Sequence, residues 1–268
     1  MTPSWLDPLL LRAVDAYYRW RPRPRPAPNC LQQACIISHR GERTAPDRLE
    51  NTFAAFDPLP DRVFGLECDV RFTRDGVPVV FHDADLLRIH ACRERLADLD
   101  YTALRLRFPQ IPSLSELVHR YGRRLHLMIE FKAEPRLDPE AQLRAVAEAL
   151  SPLTPAQDFH LLSLDLATLD WLGGHFPRCR VPIARRNVRQ MSDFALRHDC
   201  AALTGHYALL GAELSRRHKR AGQRIGVGFP ASRHGSRFAL HQGADWIFTD
   251  QALAMQAVLE REKSASSA

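Results

Sequence analysis

Residues 64–70, FGLECDV, and residues 77–83, VPVVFHD, decide how this chain is read: two short β-like runs joined by a connection that carries Asp75-Gly76. Asp-Gly between alternating runs is a strong hairpin signal, and a two-residue turn there places Asp69 opposite His82. Residues two apart on a strand share a face, so Glu67 and Asp69 point one way while Leu66, Cys68 and Val70 point the other. The apolar set asks for a covering layer of helices. The carboxylates repel one another unless a cation lies between them, and oxygen-only ligands suit a hard ion such as Mg²⁺ or Ca²⁺. The structural alternative is an ion-pair cluster, with Arg71 on the same face as the partner.

Working outward, the alternation repeats from about residue 34. ACIIS, LHLMIEF, FHLLSL, CRVPIA, AALTGH, RIGVGF and DWIFTD read as further strands. Segments 51–57, 113–121, 139–150, 166–175, 192–198, 210–220 and 236–242 between them are rich in helix formers and helix starts. Eight strand units separated by helices predict an α/β fold, a (β/α)8 TIM barrel with a short N-terminal helical extension. A doubly wound open sheet is the runner-up, but no GxGxxG turn or Walker loop supports it.

The length of 268 residues suits one barrel, and 45% hydrophobic residues exclude a disordered or collagen-like chain. Thirty-seven basic residues against 31 acidic ones leave a net charge of +6. Only Lys132, Lys219 and Lys263 are lysines, and the arginines are spread among acids rather than gathered in a stripe, so no nucleic-acid partner is expected. Apolar stretches are too short to span a bilayer, and no basic residue precedes Arg12, so a cytoplasmic protein is expected. The six cysteines form no CxxC pair and read as free thiols.

Three parts are expected: an N-terminal helix and Arg/Pro-rich linker (1–33), the barrel (34–262) and a polar tail (263–268). In the first, Trp5, Leu9, Leu10, Ala13, Val14 and Tyr17 recur at helical spacing. Packing of this helix on the barrel is the first reading; a weak peripheral membrane contact through residues 4–26, with the basic run Tyr17–Pro26, is the second.

In a barrel the chemistry belongs at the C-terminal strand ends, and polar residues fall there repeatedly: His39 and Arg40, Glu67 and Asp69, Glu130 and Lys132, and Asp250. Glu130 can complete a three-carboxylate site. Lys132 can hold an anionic oxygen or simply pair with Glu130, and Arg40 offers a guanidinium fork suited to phosphate. His82, folded back by the hairpin, is placed for proton transfer. Together these groups describe a metal-assisted site for a phosphate ester. His90 reads as a surface residue.

The motifs His39-Arg40-Gly41, Glu50-Asn51-Thr52 with Ala54-Ala55-Phe56, Glu67-x-Asp69-Val70, Thr73-x-Asp75-Gly76, Val79-Val80-x-His82-Asp83 and Ile129-Glu130-x-Lys132 strongly resemble the glycerophosphodiester phosphodiesterase family. Gly243-Ala244-Asp245-x-Ile247-x-Thr249-Asp250 is similar to that family's last strand. The resemblance covers roughly residues 35–252. It implies a TIM barrel that uses Ca²⁺ or Mg²⁺ to hydrolyse small-molecule glycerophosphodiesters to sn-glycerol 3-phosphate and an alcohol. Carried over residue by residue, it implies Glu67, Asp69 and Glu130 as metal ligands, His39 and His82 as the general acid/base pair, and Arg40 and Lys132 as phosphate contacts; within the pair we assign His39 as base and His82 as acid.

Around these, Glu50 reads as a partner for Arg40 or Arg43 and Asn51 as a helix cap, both behind the primary groups. Asp250 is expected to organise the last loop, and Ser163 to bond to backbone. Two departures from the family pattern stand out. Where the family's seventh strand ends in a Trp-Thr-Val-Asn-like run, this chain has Val227-Gly228-Phe229-Pro230-Ala231, with Phe229 the available aromatic. The segment from His82 to the next strand is short, which predicts an open mouth. Two other readings remain: a phospholipase D-like enzyme acting on lysophospholipids or sphingolipids, and a non-catalytic binding barrel.

Overall fold

Side-chain alternation along each strand sorts the chain into two apolar populations, and the computed structural model, which describes residues 13, 14, 16–43, 45 and 48–265, shows where each goes. The strands are β1 (Cys35–His39), β2 (Gly65–Phe72), β3 (Pro78–Val80), β4 (His126–Phe131), β5 (Phe159–Ser163), β6 (Arg180–Ala184), β7 (Ala202–His206), β8 (Arg224–Gly228) and β9 (Trp246–Thr249). All but β3 are parallel. The sheet closes because β1 pairs with both β2 (Ile37 beside Gly65) and β9 (Ile37 beside Phe248), giving the expected eight-stranded parallel barrel. Leu66, Cys68, Val70, Leu127, Ile129 and Phe131 face outward into the large core shared with the helices. Ile37, Met128, Leu162, Val181, Ala202, Trp246 and Phe248 face inward and fill the barrel. Interior polar residues are thereby left to the two ends.

The helices between strands start where the sequence supplies caps. Ser113 accepts from Glu116 N at 3.1 Å while Glu116 reaches back to Ser113 N at 2.8 Å, a reciprocal box that opens helix Leu114–Tyr121. Asp138 and Asp165 cap Pro139–Leu150 and Leu166–Gly173 one way, accepting from Ala141 N and Thr168 N. Val188–Arg197, Ala212–Arg220, Arg233–His241 and Ala252–Ser264 complete the outer ring.

The hairpin forms, with a different register from the one expected. Thr73 N donates to Val77 O and Gly76 N to Thr73 O, so the connection is three residues, 74–76, not two. Val70 faces Val80 and Phe72 faces Pro78, so Asp69 lies opposite Phe81, whose N donates to Asp69 O at 2.9 Å. The reason is Gly76, whose φ of +81° closes the turn one residue later.

The segment after β3 is also fuller than its length suggests. Helices Leu87–His90 and Tyr101–Arg107 and a 3₁₀ turn, Leu96–Asp98, fold over their own small core of Phe81, Leu86, Leu96, Leu99, Leu104 and Ile111. His90 lies half-buried against it, stacking on Phe81 at 5.8 Å, and burial lowers its pKa.

At the N-terminus, residues 4–12 of the expected helix lie outside the described residues. The described part rests on the barrel: Val14 and Tyr18 pack on the outer core, and Tyr18 stacks on Phe238 at 4.3 Å. Arg23 stacks over Phe238, Arg25 pairs with Glu262, and Leu31 in the short helix Pro28–Gln33 is fully buried. Tyr17 and Trp20 remain exposed. The last helix runs to Ser264, two residues past the expected boundary. All six cysteines are free thiols. Among the described residues no helix is long and apolar enough to cross a membrane.

Candidate active site

Inward alternation delivers Glu67 and Asp69 from β2 and Glu130 from β4 to the same end of the barrel. Their carboxylates are buried and offer oxygens within 4.8 Å of one another. The β2–β4 register sets Asp69 beside Glu130, which brings residues from separate strands together. Neither oxygen of Glu67 has a hydrogen-bond partner. Burial, and then the like charges of Asp69 and Glu130, push the Glu67 carboxyl well above the usual carboxylate range. Burial pushes Asp69 the same way, but Lys132, Arg40 and His82 outweigh it and hold its carboxyl below that range.

An orphaned buried carboxylate beside two others is a donor set that fits a hard divalent cation, because such an ion supplies the charge that these oxygens lack. The expected alternative partner, Arg71, is not there. It pairs with Glu134 at 2.8 Å and donates to His82 O at 2.7 Å, because it lies past the cluster, where β2 leaves the barrel. The cations at the cluster are Lys132, which pairs with Asp69 at 2.5 Å and also with Glu130, and Arg40, whose Nε lies 3.0 Å from Asp69 Oδ2.

The loop after β1 is held in an unusual backbone conformation. Arg40 and Asn51 have φ of +60° and +59°, a region that costs side-chain-bearing residues on the order of 1–3 kcal/mol each. Gly41, at +94°, lies where a Cβ would come within 2.6 Å of Ala55 Cβ. This bend turns Asn51 inward, so that its Nδ2 donates to Asp69 Oδ2 at 2.8 Å and its Oδ1 accepts from Asp69 N at 3.3 Å. The expected helix-cap role is therefore wrong: Thr52 occupies the cap position of helix Phe53–Phe56, and Asn51 orients a site carboxylate. Glu50 pairs with Arg40 and Arg43 as expected, and with Arg88 as well. Those three arginines overcome the effect of burial and keep it below the usual carboxylate range.

Both histidines stand at the mouth, each with a carboxylate on Nδ1. His39 Nδ1 is 2.7 Å from Asp250 Oδ1, and its Nε2 is 3.8 Å from Glu67. His82 Nδ1 is 2.5 Å from Asp83 Oδ1. A carboxylate on Nδ1 fixes the Nδ1–H tautomer and leaves Nε2 for proton transfer. Burial lowers the His82 pKa, Lys132 and Arg40 add to this, and Asp69 and Asp83 oppose it. The two orienting carboxylates went without that role in the sequence reading. Asp83 had a signal, since it adjoins His82; Asp250 had only its place at a strand end, since barrel closure alone brings it to His39. Phe229 stands 4.5 Å from the His39 ring, at the mouth, where Gly228 presents no side chain. Ser163 bonds to Phe131 O at 2.8 Å, as expected.

Residues 39–154 match the family model described as the glycerophosphoryl diester phosphodiesterase family. The chain is 48% identical over 54 residues to a Mycobacterium tuberculosis protein named probable glycerophosphodiester phosphodiesterase 1, and 35% identical over 115 residues to mouse glycerophosphodiester phosphodiesterase 1. Those alignments cover 20% and 35% of this chain, and span only 19% and 34% of the relatives' own lengths. The fold is similar to that of a glycerophosphodiester phosphodiesterase from Thermotoga maritima (TM-score 0.71, 21% identity, 84% of this chain and 98% of that one). It is also similar to that of an Oleispira antarctica phosphodiesterase in complex with the product sn-glycerol 3-phosphate (TM-score 0.69, 24% identity, 84% and 96%).

Proposed function

We propose that this chain, whose residues 39–154 match the glycerophosphoryl diester phosphodiesterase family model, hydrolyses glycerophosphodiesters to sn-glycerol 3-phosphate and an alcohol with a divalent cation, Mg²⁺ or Ca²⁺. The observation that carries this reading is the cluster of Glu67, Asp69 and Glu130, with both Glu67 oxygens unpaired and a carboxylate-oriented histidine on either side. The three carboxylates would hold the cation, which offsets negative charge on the phosphoryl oxygens.

Arg40 and Lys132 both converge on Asp69, so their donors border the place where a phosphate meets the carboxylates. His82 and His39 divide the proton transfers through Nε2. The depressed His82 value favours the neutral imidazole at neutral pH, the form that accepts a proton from the attacking hydroxyl, be it water or the glycerol 2-hydroxyl. His39 then protonates the leaving alkoxide. This reverses the division expected from sequence. Where the 2-hydroxyl attacks, the cyclic glycerophosphate so formed is opened by water to give sn-glycerol 3-phosphate.

One observation favours a second reading, a lysophospholipid substrate: exposed Leu87, Leu209 and Phe229 stand in the segments that follow β3, β7 and β8, Leu87 at the start of helix Leu87–His90. Glycerophosphocholine, glycerophosphoethanolamine and lysophosphatidylcholine assayed side by side separate the two. Glycerol 3-phosphate is expected from the first two with Mg²⁺ or Ca²⁺ and none with EDTA. Its absence with every soluble diester and either ion overturns the first reading; undiminished release in EDTA overturns the metal assignment.

A further inference from the structure

The two histidine–carboxylate pairs are joined by a continuous chain of charged groups along the rim of the mouth. Asp250, on Nδ1 of His39, accepts from Arg43 Nη2 at 2.6 Å. Arg43 Nη1 donates to Glu50 Oε2 at 3.2 Å. Glu50 is clamped by Arg88, with Nη1 to Oε2 at 3.1 Å and Nη2 to Oε1 at 2.6 Å. Arg88 Nε then donates to Asp83 Oδ2 at 2.6 Å, and Asp83 Oδ1 holds His82 Nδ1. Arg40 joins at Glu50, with Nη1 at 3.2 Å, and reaches the carboxylate cluster through Asp69.

Arg88 differs from the other members. It sits on the short helix Leu87–His90 in the segment after β3, its side chain is half-exposed, and neither the histidines nor the three clustered carboxylates touch it directly. Yet it spends three of its five donors on two carboxylates that belong to different halves of the site. A guanidinium fork holds two carboxylates in fixed relative positions; a point charge on a flexible stem does not. Without Arg88, Asp83 keeps only His82 as a partner and can rotate away from it, and Glu50 loses its bidentate partner while it still holds Arg40 and Arg43.

We propose that Arg88 is a positioning residue of the reaction: it locks Asp83 so that His82 presents Nε2, and it locks Glu50 so that Arg40 stays on the phosphate side of Asp69. This rests on the phosphodiesterase reading for its rate measurements, though not for its spectroscopic one. It also gives the short segment after β3 a function at the mouth, that of carrying one arginine to the rim.

The experiment uses the full chain with Arg88→Ala, Asp83→Asn and the double variant. Arg88→Ala is expected to lower kcat about 10–100-fold, the usual cost of losing a group that orients a primary ligand. The unfolding midpoint should not move, because Arg88 is outside the core. Millimolar guanidinium ion should restore part of the lost rate to Arg88→Ala and none to Asp83→Asn, which a purely structural role would not produce. The double variant should lose less than the sum of the two single losses, because the Asp83 arm is counted in both while the Glu50 arm is lost only with Arg88. Independently of turnover, nitrogen NMR of the His82 imidazole should show one Nδ1–H tautomer in the wild type and a mixture in Arg88→Ala. The proposal is overturned by a kcat within about twofold of wild type, by additive losses, or by an unchanged His82 tautomer. A wild type that releases no glycerol 3-phosphate counts against the phosphodiesterase reading instead, and the tautomer comparison still decides the role of Arg88.

Discussion

At the scale of the residue, a side chain's neighbour within a strand is readable and its neighbour across the barrel is not. Glu67 with Asp69, and Glu130 with Lys132, are two apart, so the pleat alone puts each pair on one face, and the structure brings three of those carboxylates within 4.8 Å. The contact of His39 with Asp250 joins residues 211 positions apart and exists only because β1 and β9 pair to close the barrel. Asn51 was misread because the left-handed φ that turns it onto Asp69 leaves no mark in a stretch that otherwise reads as a helix start. Asp250 is therefore a sharp test of the site. It is half-exposed and outside the core, so Asp250→Asn should leave the unfolding midpoint unchanged. It replaces the acceptor that fixes the Nδ1–H tautomer of His39, so kcat should fall on the order of 100-fold or more, with KM little altered. Steady-state kinetics on a soluble glycerophosphodiester checks this. A loss under about threefold means that His39 needs no orienting carboxylate.

At the scale of the element, legibility follows length and chemistry. Helices Leu114–Tyr121, Pro139–Leu150 and Leu166–Gly173 were readable because each has a Ser or Asp cap and enough turns to show an apolar face. Leu87–His90 and Tyr101–Arg107 were not, since four and seven residues are too few to establish a 3.6-residue period. The hairpin lies between: Asp75-Gly76 announced the turn, but the loop length that sets register follows from the left-handed Gly76, which lets Thr73 bond to both Asp75 and Val77. Gly76 is therefore the residue on which the placement of His82 depends. At φ +81° any side chain is strained, so Gly76→Ala should destabilise the protein by about 1–2 kcal/mol in urea unfolding. The nearest atom to the added methyl is Gln142 Cγ at 4.0 Å, so backbone conformation rather than a clash carries the effect. An unchanged unfolding midpoint would show that the turn tolerates an L-residue, and that register is held by the β2–β3 ladder alone.

At the scale of the whole molecule, the two ends of the barrel use burial in opposite ways. The mouth gathers carboxylates, cations and histidines. The opposite end buries a neutral pair: His126 Nδ1 lies 3.0 Å from Gln157 O, and its Nε2 lies 2.7 Å from His160 Nδ1, with Phe64 stacked over His126 and Trp246 against both rings. The Gln157 carbonyl can only accept, so His126 carries its proton on Nδ1 and accepts on Nε2 a hydrogen bond from His160 Nδ1–H; a proton added to His126 Nε2 sets two donors against each other. Burial lowers His126 to about 4 and His160 to about 3, with Arg224 pushing both further down and Asp158 partly opposing at His126. The sign of the consequence is fixed. In the unfolded chain both histidines titrate near their ordinary value of about 6.5, so the unfolded state binds protons first as pH falls. The stability from this pair is complete above that value and drains away as pH falls from it to about 4 for His126 and about 3 for His160, since each unit of separation is worth about 1.4 kcal/mol per group. Urea unfolding should therefore give a markedly lower midpoint at pH 5 than at pH 7.5. In the double variant His126→Phe, His160→Leu that difference should shrink, even if the variant is less stable at both pH values for want of a donor to Gln157. An equal pH dependence in the double variant would assign the acid sensitivity to the other histidines that burial depresses, His82, His90 and His218, since depressed carboxylates such as Asp69 lose their stabilisation on protonation only at lower pH.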